Sequence, residues 1–323
     1  MRTTSANRIV AGPRAARGLS LIELMVALTI GALMLAGAVT VYMQSRNTYR
    51  TNDAASRMQE VGRYALDVIS PDVRLAGFWG LTNRPDSFSN GAGAVANDCG
   101  GNFTVNVAQP IQGRDAKATG GGGYNLACKL NGNVVATPDW ADVLIVRRAT
   151  ADATILEKDR LQVQTNREMA ALFSDGNRPS GFAGGDQSET HNLMFSAYYV
   201  AEMPSINGVR QYSLRRQTLI AGPQIQDDEV ISGVQDMQVQ FGLDVDADGT
   251  VDRYVNPEDA IPVDARIATV QLWLLVVAEE REVGFQDNRQ YEYANADQAG
   301  DEFHDDRRRV LMTKTIQIRN AAT

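Results

Sequence analysis

Hydrophobic and polar positions divide the chain into three textures. From Leu19 to Met43 the sequence is apolar apart from one charged side chain, Glu23. At 1.5 Å per residue this run reaches roughly 37 Å, enough to cross a hydrocarbon core of about 30 Å with some tilt. Beyond it Met58, Val61, Ala65, Leu66 and Ile69 keep one apolar face at spacings of three and four, while Arg46, Asn52, Arg57, Gln59 and Arg63 take the other faces. No proline interrupts Leu19–Ile69, and the first break is Ser70-Pro71-Asp72, where Ser70 can cap a fresh short helix starting at Pro71. The pattern therefore predicts one long helix, residues 19–43 in lipid and residues 44–69 amphipathic.

Residues 70–138 read as a loop-rich excursion, dense in turn formers and including Gly120-Gly121-Gly122-Gly123. That glycine run is not a phosphate loop, because no Lys-Ser or Lys-Thr follows it. From residue 139 to 323 the texture becomes short β-branched and aromatic runs between turn signals: Val143–Arg148, Leu161–Thr165, Leu193–Met203, Gln211–Thr218, Val234–Leu243, Ile267–Glu279 and Val310–Ile318. These predict an antiparallel β head, as one lobe or two packed sheets. Met237, Val239, Phe241 and Leu243 alternate strictly, so their strand should have a dry face; in the last strand Lys314 is the one lapse. The expected class is α+β, a long transmembrane and amphipathic helix packed on a mainly antiparallel β head.

Charge placement orients the first segment. Arg2, Arg8, Arg14 and Arg17 precede Gly18 with no acid among them, which holds this end in the cytoplasm. A secretory signal has its small cleavage residue after the apolar run, whereas Gly18 comes before it. Cutting there removes residues 1–18 as a leader yet keeps the membrane helix. A carboxylate in hydrocarbon costs about 2.5–3.5 kcal/mol on insertion scales, so Glu23 is a functional residue by default. Loss of the leader takes the formal charge from −8 to −12. An acidic chain with no basic cluster interleaved with aromatics argues against nucleic-acid binding.

The series Arg17-Gly18-Leu19-Ser20-Leu21-Ile22-Glu23-Leu24 resembles the type III signal of type IV prepilins and pseudopilins. The resemblance implies a prepilin peptidase that cuts after Gly18, a methylated new N-terminus at Leu19, and a role for Glu23 in assembly. Leu19-Ser20 departs from the commoner Phe-Thr pair. The rest of the chain is similar to PilW-type minor pilins in Asp72-Val73-Arg74-Leu75-Ala76-Gly77-Phe78, Tyr198-Tyr199-Val200, Ser213-Leu214-Arg215-Arg216, Val239-Gln240-Phe241-Gly242-Leu243-Asp244 and Ile318-Arg319-Asn320. That likeness implies a pilin-like fold and a low-abundance subunit of a pilus-initiating complex. Its partners would be the inner membrane, other minor pilins, the major pilin and a tip adhesin, and its roles pilus biogenesis, adhesion and twitching motility. The alternatives are a J-like pseudopilin of type II secretion and a membrane-tethered periplasmic binding module.

Cys99 and Cys128 fall on the side that the basic leader assigns to the periplasm, where a disulfide is expected; two free thiols are the alternative. Asp244, Asp246, Asp248, Gly249, Thr250 and Asp252 form DxDxDGxxD, which matches the first nine positions of a calcium loop. Val255 stands where a bidentate acid would close that loop, so Glu258 or Asp259 would have to substitute, and the plainer reading is a polar hairpin turn around Asp248-Gly249. No cofactor is required; calcium is the one candidate. His191 and His304, the only histidines, belong to no catalytic or metal spacing and read as surface or loop residues. The stretch Asp301–Arg309 reads as a solvated turn with local charge pairing. A structural protein, not an enzyme, is expected.

Overall fold

A computed structural model describes residues 18, 20–82, 84, 87–89, 95, 103–115, 138, 140–182, 187–257, 259–294, 303 and 305–320. Helix α1 spans Leu21–Arg74 and is the one helix among the described residues long and apolar enough to cross a membrane. Contacts divide the chain between Asp53 and Ala54.

In the first unit Ser20 caps α1. Its hydroxyl accepts the Glu23 N–H at 3.2 Å and its carbonyl accepts the Leu24 N–H at 3.1 Å. Ser20-Leu21-Ile22-Glu23 thus has the spacing of a capping box, with an acid in the first turn where the helix dipole favours it. Thr29, Thr40 and Thr48 donate to the carbonyls of Val26, Ala36 and Gln44, so these hydroxyls stay satisfied in an apolar surrounding.

The second unit holds the rest of α1 and two sheets. Strands β1 (Phe88–Ser89), β2 (Ile111–Arg114), β3 (Val143–Ala149), β4 (Lys158–Thr165), β5 (Ala170–Asp175), β6 (Glu189–Ile206), β7 (Val209–Ile220) and β8 (Gln224–Ser232) form the first sheet. Only the β1–β5 pair is parallel. The second sheet has the order β10 (Arg253–Val255), β9 (Val234–Asp244), β11 (Arg266–Val277), β12 (Arg309–Gln317), all antiparallel. Both sheets are dominated by β-branched and aromatic residues at period two, which is why they form.

That period sorts two cores. Leu144, Val146, Tyr198, Val200 and Leu214 of the first sheet join Met237, Val239, Phe241, Leu243, Leu272 and Leu274 of the second around Ala65, Leu66, Ile69 and Val73 of α1. The alternate residues Val143, Ile145, Ala197 and Tyr199 bury the opposite face with Trp79, Leu161, Val163, Leu172 and Phe195. Gly62 lets α1 approach the second sheet, since a Cβ there would fall 2.2 Å from the Met312 sulfur and 3.2 Å from Val276. The two-sheet alternative is the one realised.

Three expectations differ from the structure. The helix does not stop at Ile69; it runs through Pro71 to Arg74. The Ser70 hydroxyl, instead of capping a new helix, donates back to the Leu66 carbonyl, and the Leu75 N–H reaches the Pro71 carbonyl at 3.2 Å. Burial of Val73 and anchoring of Asp72 outweigh the one lost proline donor. Strands β1, β2, β5, β8 and β10 were not marked in the sequence, because β8 (QIQDDEVIS) is mostly polar and the others are short. Finally, the second face of β9 is not wet: Gln235, Asp236 and Gln238 are buried. The lapse at Lys314 is explained by its ammonium, which reaches the Asp67 carboxylate of α1 at 3.2 Å.

Candidate functional sites

The residues expected to serve processing and assembly lie just before and within the first turn of α1. Gly18 is exposed, and a Cβ built on it would meet nothing within 4 Å. Folding therefore places no demand on glycine at this position. Leu19 lies outside the described residues. Glu23 is exposed in the first turn, its backbone N–H on the Ser20 hydroxyl. Sequence reasoning singled out Glu23 for its isolation and missed Ser20 as the cap, although the S-x-x-E spacing was there to be read.

Cys99 and Cys128 also lie outside the described residues, as do His304 and Glu258. The aspartate loop joins β9 to β10 as a hairpin connection. Oxygens of Asp244, Asp246 and Asp252 gather within 4.8 Å of one another. Asp248 points its Oδ1 at Thr250 instead, accepting both the N–H and the hydroxyl at 2.7 Å, and these bonds hold its carboxyl below the usual value. Asp259 is not among the gathered carboxylates; its Oδ2 accepts the Asn256 N–H at 2.8 Å.

The sequence blocks that carried the family resemblance meet around the end of α1. Asp72 accepts from Arg148 at 2.7 Å and from the Tyr198 hydroxyl at 2.7 Å. Burial, then the Asp72 charge, pushes the Tyr198 phenol well above its ordinary range. Tyr199 donates to Asp227 at 2.8 Å, and Arg215 pairs with the same carboxylate at 3.2 Å. The Arg319 N–H closes on the Arg74 carbonyl at 3.0 Å, and the Gly77 N–H on the Arg147 carbonyl at 3.1 Å. Gly77 has φ +73°, and a Cβ there would come within 3.1 Å of the Asn320 carbonyl, so a side chain is excluded twice over. Asp72, Arg74 and Gly77 thus lock the helix end to the head through Arg148, Tyr198, Arg147 and Arg319, while Tyr199, Arg215 and Asp227 pair on the opposite face of the first sheet.

Two readings of polar residues need correction. His191 is not at the surface: it is 1 % exposed on β6, with Nδ1 2.8 Å from the Thr150 carbonyl and Nε2 3.2 Å from Glu189. The segment before β12 is not a solvated turn, since Arg307 and Arg309 are buried. Arg309 donates to Asp305 at 2.7 and 2.8 Å, to Asp287 at 3.1 Å and to Gln235 at 2.8 Å, with its guanidinium 3.8 Å from the Phe303 ring centre. Beside it Asp236 accepts the Tyr293 hydroxyl at 2.6 Å and the Gln238 amide at 3.1 Å, and burial pushes its carboxyl up to about 6. The Asp305–Arg309 pair is the local charge pairing expected from the sequence, but Arg309 reaches Asp287 and Gln235 across 22 and 74 positions and Asp236 meets Tyr293 across 57, so no local spacing marks the burial.

Comparison with known proteins agrees with this arrangement. Residues 197–320, from within β6 through β12, match the family model of the type IV pilus-assembly protein W, PilW. Residues 13–39 match the prokaryotic N-terminal methylation motif, which brackets Gly18, Leu19 and Glu23. No curated protein and no solved structure matches the chain. The two matches support a PilW-like minor pilin of a type IV pilus, with the α+β pilin architecture and an apolar N-terminal helix fit for anchoring in the inner membrane.

Proposed function

We propose that this PilW-like minor pilin is cut after Gly18 and assembled, head outward, into the initiating complex near the tip of a type IV pilus. There it is a structural, non-enzymatic subunit that contacts other minor pilins, the major pilin and a tip adhesin, and supports pilus biogenesis, adhesion and twitching motility. The observation that carries the reading is Glu23, in the first turn of α1 and the one charged side chain of the apolar run Leu19–Met43. Cleavage creates a cationic amine at Leu19 that Glu23 can meet in its own chain or in a neighbour, and in a bundle of apolar helices only one axial stagger allows the pair between subunits. The pair therefore fixes register, where apolar packing alone would slide.

Glu23→Ala separates this role from membrane insertion. Insertion is expected to be unchanged or improved, because a costly carboxylate is gone, while surface pili fall at least about tenfold and co-purification with other minor pilins is lost. Normal piliation would contradict the reading. Normal piliation with blocked secretion of folded exoproteins would point instead to a J-like pseudopilin, and the absence of both defects to a tethered binding module.

A further inference from the structure

We infer that the Asp244–Asp252 loop is a calcium site that ties the end of β9 to the start of β10. The decisive atom is Asp244 Oδ1. Asp244 is 4 % exposed, yet this oxygen is buried with no hydrogen-bond partner. Its companion Oδ2 accepts the Gly249 N–H at 3.1 Å, so the carboxylate is held in place with one oxygen aimed at nothing. Buried polar atoms are almost always satisfied, and an orphaned carboxylate oxygen is among the costliest exceptions. A cation supplies the missing partner.

The neighbours agree. One oxygen of Asp252 accepts the Val245 N–H at 2.7 Å and one of Asp246 accepts the Asp248 N–H at 3.2 Å, which leaves each a second oxygen free to ligate. Carboxylate oxygens of Asp244, Asp246 and Asp252 lie within 4.8 Å of one another, and oxygens on a common ion at about 2.3–2.6 Å can be separated by up to about 5 Å. Gly249, at φ +89°, supplies the turn that wraps the chain around that point. The alternation also offers the Thr250 carbonyl and the second oxygen of the exposed Asp248. An all-oxygen, acidic, flexible donor set suits calcium better than magnesium, which demands a tighter octahedron, and lacks the nitrogen or sulfur that zinc prefers.

This inference makes no use of the assembly role, and its test reads binding alone. The full-length chain, purified in detergent micelles and freed of metal by chelator, is titrated with calcium chloride or magnesium chloride by calorimetry and thermal unfolding. The expected result is calcium binding with a Kd of roughly 10⁻⁴–10⁻³ M and a melting temperature raised by about 3 °C at tenfold that concentration, with little response to magnesium. Asp246→Asn and Asp252→Asn, both at exposed positions, should each weaken binding at least about tenfold while leaving the metal-free melting temperature unchanged or higher. Silence to calcium up to about 10 mM, an equal response to magnesium, or an undiminished calcium response in the double variant Asp246→Asn/Asp252→Asn would each overturn the assignment.

Discussion

Replacing Gly18 with tryptophan should leave almost all of the chain unprocessed in the membrane, with the mature form reduced more than about tenfold on an immunoblot. The expectation follows from the position of Gly18 between an arginine-bearing leader and an apolar helix, within the matched methylation motif. A peptidase that must approach the bond after residue 18 has no room for an indole beside it. The test is clean because the residue has no other constraint: it is exposed, and a side chain there meets nothing within 4 Å. Misfolding therefore cannot imitate the effect. A mature band at wild-type level would remove the prepilin assignment.

The second large effect is on stability. Arg309→Met should lower the free energy of unfolding by about 3–5 kcal/mol, because it leaves the buried Asp287 without its buried guanidinium partner, with the Tyr291 hydroxyl at 3.0 Å and the exposed Arg289 at 3.7 Å in its place. For a unit of this size that corresponds to a fall of about 10 °C in melting temperature. The pH dependence has a definite sign. Burial raises the Asp305 carboxyl, but the Arg309 bond and charge outweigh it and hold the group below its ordinary value. A group so depressed contributes stability above the unfolded carboxylate range and loses it as pH falls through its folded value. The part of the gap carried by the Asp305–Arg309 pair should thus be full at neutral pH and shrink as pH falls below the ordinary carboxylate range. Adding Asp287→Asn to Arg309→Met should recover part of the loss by removing the stranded charge. An unchanged melting temperature for Arg309→Met would show that the network adds nothing.

Legibility in the sequence followed how local the cause was. The long apolar start of α1 and the isolation of Glu23 were plain because an uninterrupted apolar run is a one-dimensional fact. The seven strands read from β-branched and aromatic runs between turn signals all exist, since such residues suit a pleated, half-buried surface. Strand β8 was invisible because it is an edge that buries little beyond Ile225, so nothing forces alternation. The helix end was misplaced because Pro71 is locally disfavoured but Asp72, Arg148 and Tyr198 anchor it across 76 and 126 positions of sequence. The same distance hid Arg309, whose partner Gln235 is 74 positions away. In the aspartate loop the motif named the residues, but only the burial of Asp244 with an unpartnered Oδ1 favours the proposed ion site over a polar turn.

The central claim is that this chain is a processed pilus subunit, and the most direct test is the N-terminal mass of the chain in sheared, purified surface filaments. The account predicts a low-abundance polypeptide that begins at N-methylated Leu19 and retains the whole of α1. A chain that still carries residues 1–18, one cut after the apolar run, or filaments that contain no trace of it would contradict the account.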